Sequence, residues 1–350
     1  ARWHEGRTGS NPSVATLIVR EIDGVPVIVG RGVTAIGGRP HAEPQALAEA
    51  GELARGSTAY VTLEPCAHHG RTPPCAEALV AAGVERVVAA ATDPDERVSG
   101  RGYAILREAG IEVEEGVLAR EAEHDLAGYL TRRKSNRAHV TLKLAVSANG
   151  KIGKRDGKKI AITDEIARHQ VHALRAQSDV ILIGVGTAIN DDPDLTCRLP
   201  GLEDRSPVRL VLDTNLRLPV QSRLAASARD VPLWIATAAA QGDPRRAELA
   251  ACGAEFLASD AHQGKLALPE LLEDIAARGL STVFVEGGAE VAKAFLDEGL
   301  VDRIVLLTGE GIIEGDAVNA PVTRDTIPQA FRPVASMRYG ADQMDEYERT

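Results

Sequence analysis

Residues 61–83, VTLEPCAHHGRTPPCAEALVAAG, constrain this chain more than any other stretch. A strand-like run, 58–64, enters Pro65-Cys66 and crosses a histidine-rich loop. It then reaches Cys75 at the start of a helix over 75–83 that stops at Gly83. A helix start offers partial positive charge and free N–H groups, which favour the thiolate, the form that binds metal. Upstream, HAEPQALAEA opens a second helix over 44–54 and places His41 two residues before Glu43. Catalytic zinc asks for three protein ligands and an open position for water. His41, Cys66 and Cys75 supply one nitrogen and two sulfurs, and a closed structural site would need a fourth. A carboxylate such as Glu43 beside a metal-bound water can take its proton and deliver it to a substrate. Zinc nucleobase deaminases carry H-x-E followed by P-C-x-x-C. Here eight residues, not two, separate the cysteines.

The surrounding pattern is layered α/β. Runs 13–19 and 25–33 predict strands joined at Asp23-Gly24, a dipeptide favoured in hairpins. Strands at 86–91 and 111–117 alternate with the helix of 100–110. The stretch TRRKSNR, 131–137, is charged and lacks apolar periodicity, which predicts a boundary between domains 1–135 and 138–350. The second series has strands at 139–147, 179–187, 208–214, 232–238, 282–288 and 303–309. Its helices are 289–299 and 163–177, the latter with Thr163 as N-cap and Asp164 and Glu165 favouring the helix dipole.

The length of 350 residues suits two cores rather than one. A net charge of −10 disfavours a nucleic-acid partner. No run of apolar residues is long enough to span a membrane, and residues 1–10 lack a secretion-signal pattern. Four cysteines are too few for a secreted disulfide framework. Cys197 and Cys252 read as packed residues. A cytoplasmic enzyme is the expectation.

HAE, then VTLEPCAHHGRTPPC, AGVERVVAAATDP and GRG, closely resemble the deaminase half of the bifunctional riboflavin-biosynthesis deaminase–reductase family. The long cysteine spacer is that family's form of the motif. The resemblance implies a substrate that is a diaminopyrimidinone ribosyl 5-phosphate, Zn²⁺ on His41, Cys66 and Cys75, and Glu43 as proton carrier. It also implies substrate contacts from Asn11, His68, Arg71 and Asp93, with His69 and Thr72 in the same loop. Two departures are Asp95, where the family has an asparagine, and Ala15, where it has a glycine.

The resemblance continues through VTLKLAVSANGKI, RAQSDVILIGVGTAINDDPDLTCR, PVRLVLDT and VFVEGGAEVAKAFL. It therefore implies a cytidine-deaminase-like three-layer α/β/α domain followed by a dihydrofolate-reductase-like α/β domain. The second domain would use NADPH to reduce the ribosyl group to ribityl. A strand, two glycines and a helix start suit phosphate. By family position, Ala145, Ala161, Thr187, Asp191, Thr214, Gly287 and Gly288 are implied for NADPH. Lys159, Arg175, Leu195, Arg198 and Glu286 are implied for substrate, with Arg175 and Arg198 as the phosphate clamp. A homo-oligomer, dimer or tetramer, assembled through this half is also implied. This half departs more from its pattern: Asn149 stands for an aspartate, Ala161 for a tryptophan, and Asp164 closes AITD in place of WITS. An active deaminase whose second half is impaired or only assembles therefore stays open, as does, more remotely, a nucleic-acid-editing deaminase.

Overall fold

The structure, a computed structural model, describes residues 1–70, 73–155, 160–262 and 264–350. Arg71, Thr72 and Lys159 lie outside the described residues. The chain divides into two units, Ala1–Arg137 and Ala138–Thr350.

The first unit is built on a five-stranded sheet in the order β2-β1-β3-β4-β5. Strands β1 (Ala15–Ile22) and β2 (Val25–Val33) form an antiparallel hairpin. Its two-residue turn has positive φ at both Asp23 and Gly24, 54° and 77°, the backbone that matches strand twist. β3 (Thr58–Leu63) is antiparallel to β1, and β4 (Arg86–Ala91) and β5 (Glu112–Glu115) continue in parallel. The connections are helices α1 (Ala42–Ala50), α2 (Cys75–Ala82) and α3 (Arg101–Glu108). Ala46, Ala50, Leu79 and Leu106 bury against Ile18, Val61 and Val87. A Cβ on Gly30 or Gly32 would overlap the carbonyl oxygens of Ala46 or Ala42. These two glycines therefore let α1 lie directly on the β2 backbone, which fixes the helix start carrying His41 and Glu43.

Two further helices, α4 (Ala119–Asp125) and α5 (Ala127–Ser135), complete this unit. The division between the two units falls after Arg137, the last residue of the charged stretch 131–137, and helix α5 runs through Ser135. Its apolar residues lie at its beginning, where Leu126, Leu130 and Tyr129 share a cluster with Ala42, Leu63 and Ala91. Arg132, Arg133 and Lys134 occupy its last turn, where cations meet the negative end of the helix dipole.

Among the described residues, the second unit is built on one nine-stranded sheet. Its strands are β6 (His139–Val146), β8 (Val180–Gly184), β9 (Val208–Leu212), β10 (Leu233–Thr237), β11 (Glu255–Ala258), β14 (Thr282–Val285), β15 (Arg303–Thr308), β17 (Phe331–Tyr339) and β18 (Asp342–Arg349). The order is β11-β10-β9-β8-β14-β6-β15-β18-β17. The first seven strands in that order run parallel, and the β17–β18 hairpin is antiparallel. Short ribbons pair β7 (Lys151–Lys154) with β16 (Ala317–Asn319) and β12 (Ala261–His262) with β13 (Lys265–Leu266). The helices are α6 (Glu165–Ala176), α7 (Val185–Asp191), α8 (Arg223–Ala226), α9 (Pro244–Cys252), α10 (Leu268–Ala277) and α11 (Ala289–Asp297). Val140, Leu142, Val180, Leu182, Val283 and Val285 form the centre of the core.

Two local expectations change. The N-cap of α6 is Asp164, not Thr163: Asp164 is extended, and its carboxylate accepts the Ala167 N–H at 2.8 Å. GVGT does not end a strand, because β8 stops at Gly184 and α7 begins at Val185. Strands β11, β17 and β18 and helices α9 and α10 carried no recognised sequence signal. β17 is largely exposed and lacks a buried apolar alternation.

Candidate functional site

In the first unit, His41 is the N-cap of α1, Cys75 is the first residue of α2, and Cys66 follows β3. Three connections at one sheet edge therefore bring together residues spread over 34 positions. His41 Nδ1 lies 3.8 Å from Cys66 Sγ and 3.4 Å from Cys75 Sγ, and all three donor atoms fall within 4.8 Å of one another. Ligands at zinc bond lengths around a tetrahedral ion sit about 3.5–4 Å apart, so one nitrogen and two sulfurs here fit that ion.

Hydrogen bonding within the cluster decides which thiol gives up its proton. The Cys75 thiol and the His41 ring hold the Cys66 thiol down to about 4. Cys75 is correspondingly pushed up by its bond to Cys66 and by burial. Cys66 raises His41 through their shared hydrogen bond. Glu43 is 3% exposed, and burial pushes its carboxyl up. A buried carboxyl that gains and loses a proton readily suits acid/base work. Asn11 sits in the turn before β1, with its side chain against Gly38. His68 has a buried Nδ1 with no hydrogen-bond partner among the described residues.

Asp93 follows β4 and is 5% exposed. Its N–H and those of Gly100 and Gly102 all donate to the Glu64 carboxylate, at 3.4, 3.2 and 3.1 Å. Glu64 precedes Cys66 by two residues, so loop 93–102 is tied to the ligand segment. Burial pushes the Asp93 carboxyl up, whereas the Arg97 guanidinium, assisted by Arg133, holds Asp95 well below the usual range. Tyr129 and Arg133 join this loop from α5. Sequence reasoning missed both, because they lie outside any motif.

In the second unit the parallel strands present their C-terminal ends on one edge, where open α/β sheets bind ligands. Gly288 is the N-cap of α11, and its N–H donates to Thr187 Oγ1 on α7 at 3.2 Å. A Cβ on Gly287 or Gly184 would come within 2.7 Å of Val291. The ends of β14 and β8 therefore converge on the start of α11, a cradle of backbone suited to a phosphate-bearing cofactor. Ala145 lies on β6, half-buried. Asp191 ends α7, and Thr214 follows β9, where its carbonyl accepts from Thr237. Ala161 is exposed.

Arg175 on α6 makes two bonds to Glu286 beyond β14, 2.6 and 3.0 Å, and a third to the Thr196 carbonyl, 3.0 Å. These bonds use three of the five Arg175 guanidinium N–H groups, which leaves Arg198 the more open member of the expected clamp. Arg198 is exposed and lies 3.7 Å from Asp194. Leu195 is buried with φ 56°, a costly conformation for leucine that such sites tolerate. Lys143 on β6 places Nζ 3.9 Å from Glu286. Sequence reasoning missed it, although a single charge inside the apolar strand HVTLKLAV was the signal. Burial lowers Lys143. Burial raises Glu286, but Arg175 and Lys143 outweigh it, so the net direction is down. Asn149 donates to the Ile313 carbonyl at 3.0 Å and accepts its N–H at 3.1 Å. An aspartate could not make the first bond, so this departure closes a turn.

The folds and sites define a metal-dependent deaminase unit followed by a reductase unit on one chain. Family models agree: residues 1–91 match the cytidine and deoxycytidylate deaminase zinc-binding region, and residues 138–342 match the RibD C-terminal domain. The chain belongs to the RibD family of bifunctional deaminase/reductases of riboflavin biosynthesis. It is 39% identical to riboflavin biosynthesis protein RibD of Bacillus amyloliquefaciens over 87% of this chain and 80% of that one. Identity to RibD of Escherichia coli is 38%, over 89% and 84%. Among solved structures, Acinetobacter baumannii RibD is similar with TM-score 0.83 and 34% identity, covering 99% and 94% of the two chains. A deaminase/reductase from Thermotoga maritima is similar with TM-score 0.84 and 31% identity, covering 100% and 95%. Among the described residues, no helix is long and apolar enough to cross a membrane.

Proposed function

We propose that the first unit hydrolytically deaminates 2,5-diamino-6-(5-phosphoribosylamino)pyrimidin-4(3H)-one, and that the second reduces the ribosyl group of the product to ribityl with NADPH. The observation that carries the reading is Glu43 buried beside the triangle of His41, Cys66 and Cys75. Those three residues would hold zinc, which supplies Lewis acidity and lowers the pKa of water. Glu43 holds the proton that water gives up and returns it to the pyrimidine amino nitrogen, which leaves as ammonia. His68, whose buried Nδ1 has no hydrogen-bond partner among the described residues, together with Asn11, Arg71 and Asp93, orients the substrate.

In the second unit, Thr187, Asp191, Thr214, Ala145, Ala161 and the Gly287–Gly288 turn would hold NADPH, which supplies a hydride. Glu286, Lys143, Leu195 and Arg198 form the substrate side, and Lys159 belongs to the same proposal. Arg198 is the phosphate ligand, as an exposed guanidinium fits phosphate in two-pronged fashion. All four cysteines are free, as expected of a reducing, cytoplasmic compartment. A homo-oligomer through the second unit belongs to the same reading. β17 ends the large sheet and exposes Val334 and Met337, and an unpaired strand edge invites pairing.

One assay with separate readouts tests both halves. Purified chain should hold about one zinc, release ammonia from the diaminopyrimidinone, and oxidise NADPH when given the deaminated product. Ammonia release without NADPH oxidation would leave a deaminase alone.

A further inference from the structure

Helix α5 lies outside every motif, yet its two sides address different parts of the first site. On its apolar side, Leu126 and Leu130 share a cluster with Ala42, the residue between His41 and Glu43. On its polar side, the Tyr129 hydroxyl lies 3.0 Å from both oxygens of Asp93, and Arg133 Nη2 bonds Asp95.

The two acids are buried to a similar degree, 5% and 6% exposed, but they are bonded differently. Asp95 takes the Arg97 N–H at 3.0 Å, Arg97 Nε at 3.0 Å, Arg97 Nη2 at 2.6 Å, and Arg133. That nearly saturates the four acceptor positions of a carboxylate. Asp93 takes the Asp95 N–H on Oδ1 at 2.9 Å and a single hydroxyl proton from Tyr129. Among the described residues Asp93 therefore keeps acceptor capacity, while Asp95 is an anchor whose main chain aims Asp93. Both stand on the loop that Glu64 ties to the Cys66 segment.

We propose that Tyr129 and Arg133 are positioning residues of the deaminase: Tyr129 orients Asp93 toward the substrate, and Arg133 anchors Asp95 beneath it. The inference rests on the reading of the first unit as a deaminase whose substrate meets Asp93. A helix that leads out of the unit is thus part of its substrate site.

The test uses the full-length, zinc-loaded chain. Tyr129→Phe removes one hydroxyl and nothing else. It should raise KM for the diaminopyrimidinone ribosyl phosphate about tenfold, the worth of one hydrogen bond to a charged group, with kcat changed less than about twofold. Arg133→Met should raise the same KM, and Arg133→Lys should recover part of it. In an Asp95→Asn background the charge to be neutralised is gone, so adding Arg133→Met should have a much smaller effect. Zinc content and NADPH oxidation with the deaminated product should stay at wild-type levels throughout, which a merely structural role would not predict. Unchanged deaminase KM in both Tyr129→Phe and Arg133→Met overturns the inference alone. So does a parallel loss of zinc or of reduction. Wild-type, zinc-loaded protein that releases no ammonia overturns the deaminase reading and this inference with it.

Discussion

Arg175 and Glu286 are joined by two parallel hydrogen bonds, 2.6 and 3.0 Å long, between the last turn of α6 and the residue that follows β14. Their side chains are only 12% and 10% exposed. This pair fixes the charged floor of the second site, with Lys143 as its third member. Removing one partner from a buried ion pair strands the other, at about 3–5 kcal/mol. Arg175→Met should therefore lower the unfolding transition of the second unit and abolish reduction while ammonia release continues. Adding Glu286→Gln should restore much of the stability and none of the reduction. A double-mutant cycle on the melting transition checks it, and additive effects would count against the pairing.

Glu43 stands beside the metal triangle but is not one of its three members. Glu43→Gln should keep about one zinc per chain and lower the deamination kcat by roughly 10²–10⁴, the usual worth of a general acid/base. Cys75→Ala should lose the zinc as well. Metal analysis alongside the ammonia assay separates the two, and an active Glu43→Gln enzyme would falsify the assignment.

Gly102 packs against the segment that carries Cys66. A Cβ there would overlap the Pro65 carbonyl oxygen, and its N–H is bonded to Glu64. Gly102→Ala should cost about 1–3 kcal/mol by overpacking and weaken zinc retention against a chelator. Gly100→Ala, at a site with open space but φ 73°, should be destabilising through backbone strain without the same zinc loss.

His172 on α6 accepts the Arg198 N–H at 3.3 Å. Burial, then the charges of Arg175 and Arg198, lower it to about 4. In the unfolded chain an ordinary histidine titrates near 6.5. Between about pH 6.5 and 4 the unfolded state therefore binds a proton that the folded state does not. The contribution is complete above that window and is lost as pH falls through it. Urea midpoints at pH 7.5, 6 and 5 should drop more in wild type than in His172→Gln, and parallel curves would remove histidine from the account.

The metal triangle and its carboxylate were legible in the sequence because strand ends and helix starts are local signals. Pro65-Cys66, Pro74-Cys75 and His-Ala-Glu each mark one. The parallel strands of both units, β11 excepted, were legible for the same reason: HVTLKLAV and VILIG are apolar runs of strand length. What the sequence concealed is of two kinds. α5 was hidden by its charged last turn, and β17 by an exposed surface without alternation.

By itself the sequence singled out His41, Cys66 and Cys75, the neighbouring Glu43 and the glycine turns, since each depends on residue type at short spacing. Only the tertiary structure decided how the charged side chains are paired. Arg175 reads as an open guanidinium until Glu286, 111 positions away, is seen to take two of its N–H groups. Asp95 reads as an altered substrate contact until Arg133, 38 positions on, is seen to join its near neighbour Arg97 in holding it. The physical reason is the same in both cases. A buried charge must find its partner in space, and the chain separation between partners carries no periodicity that a sequence can display.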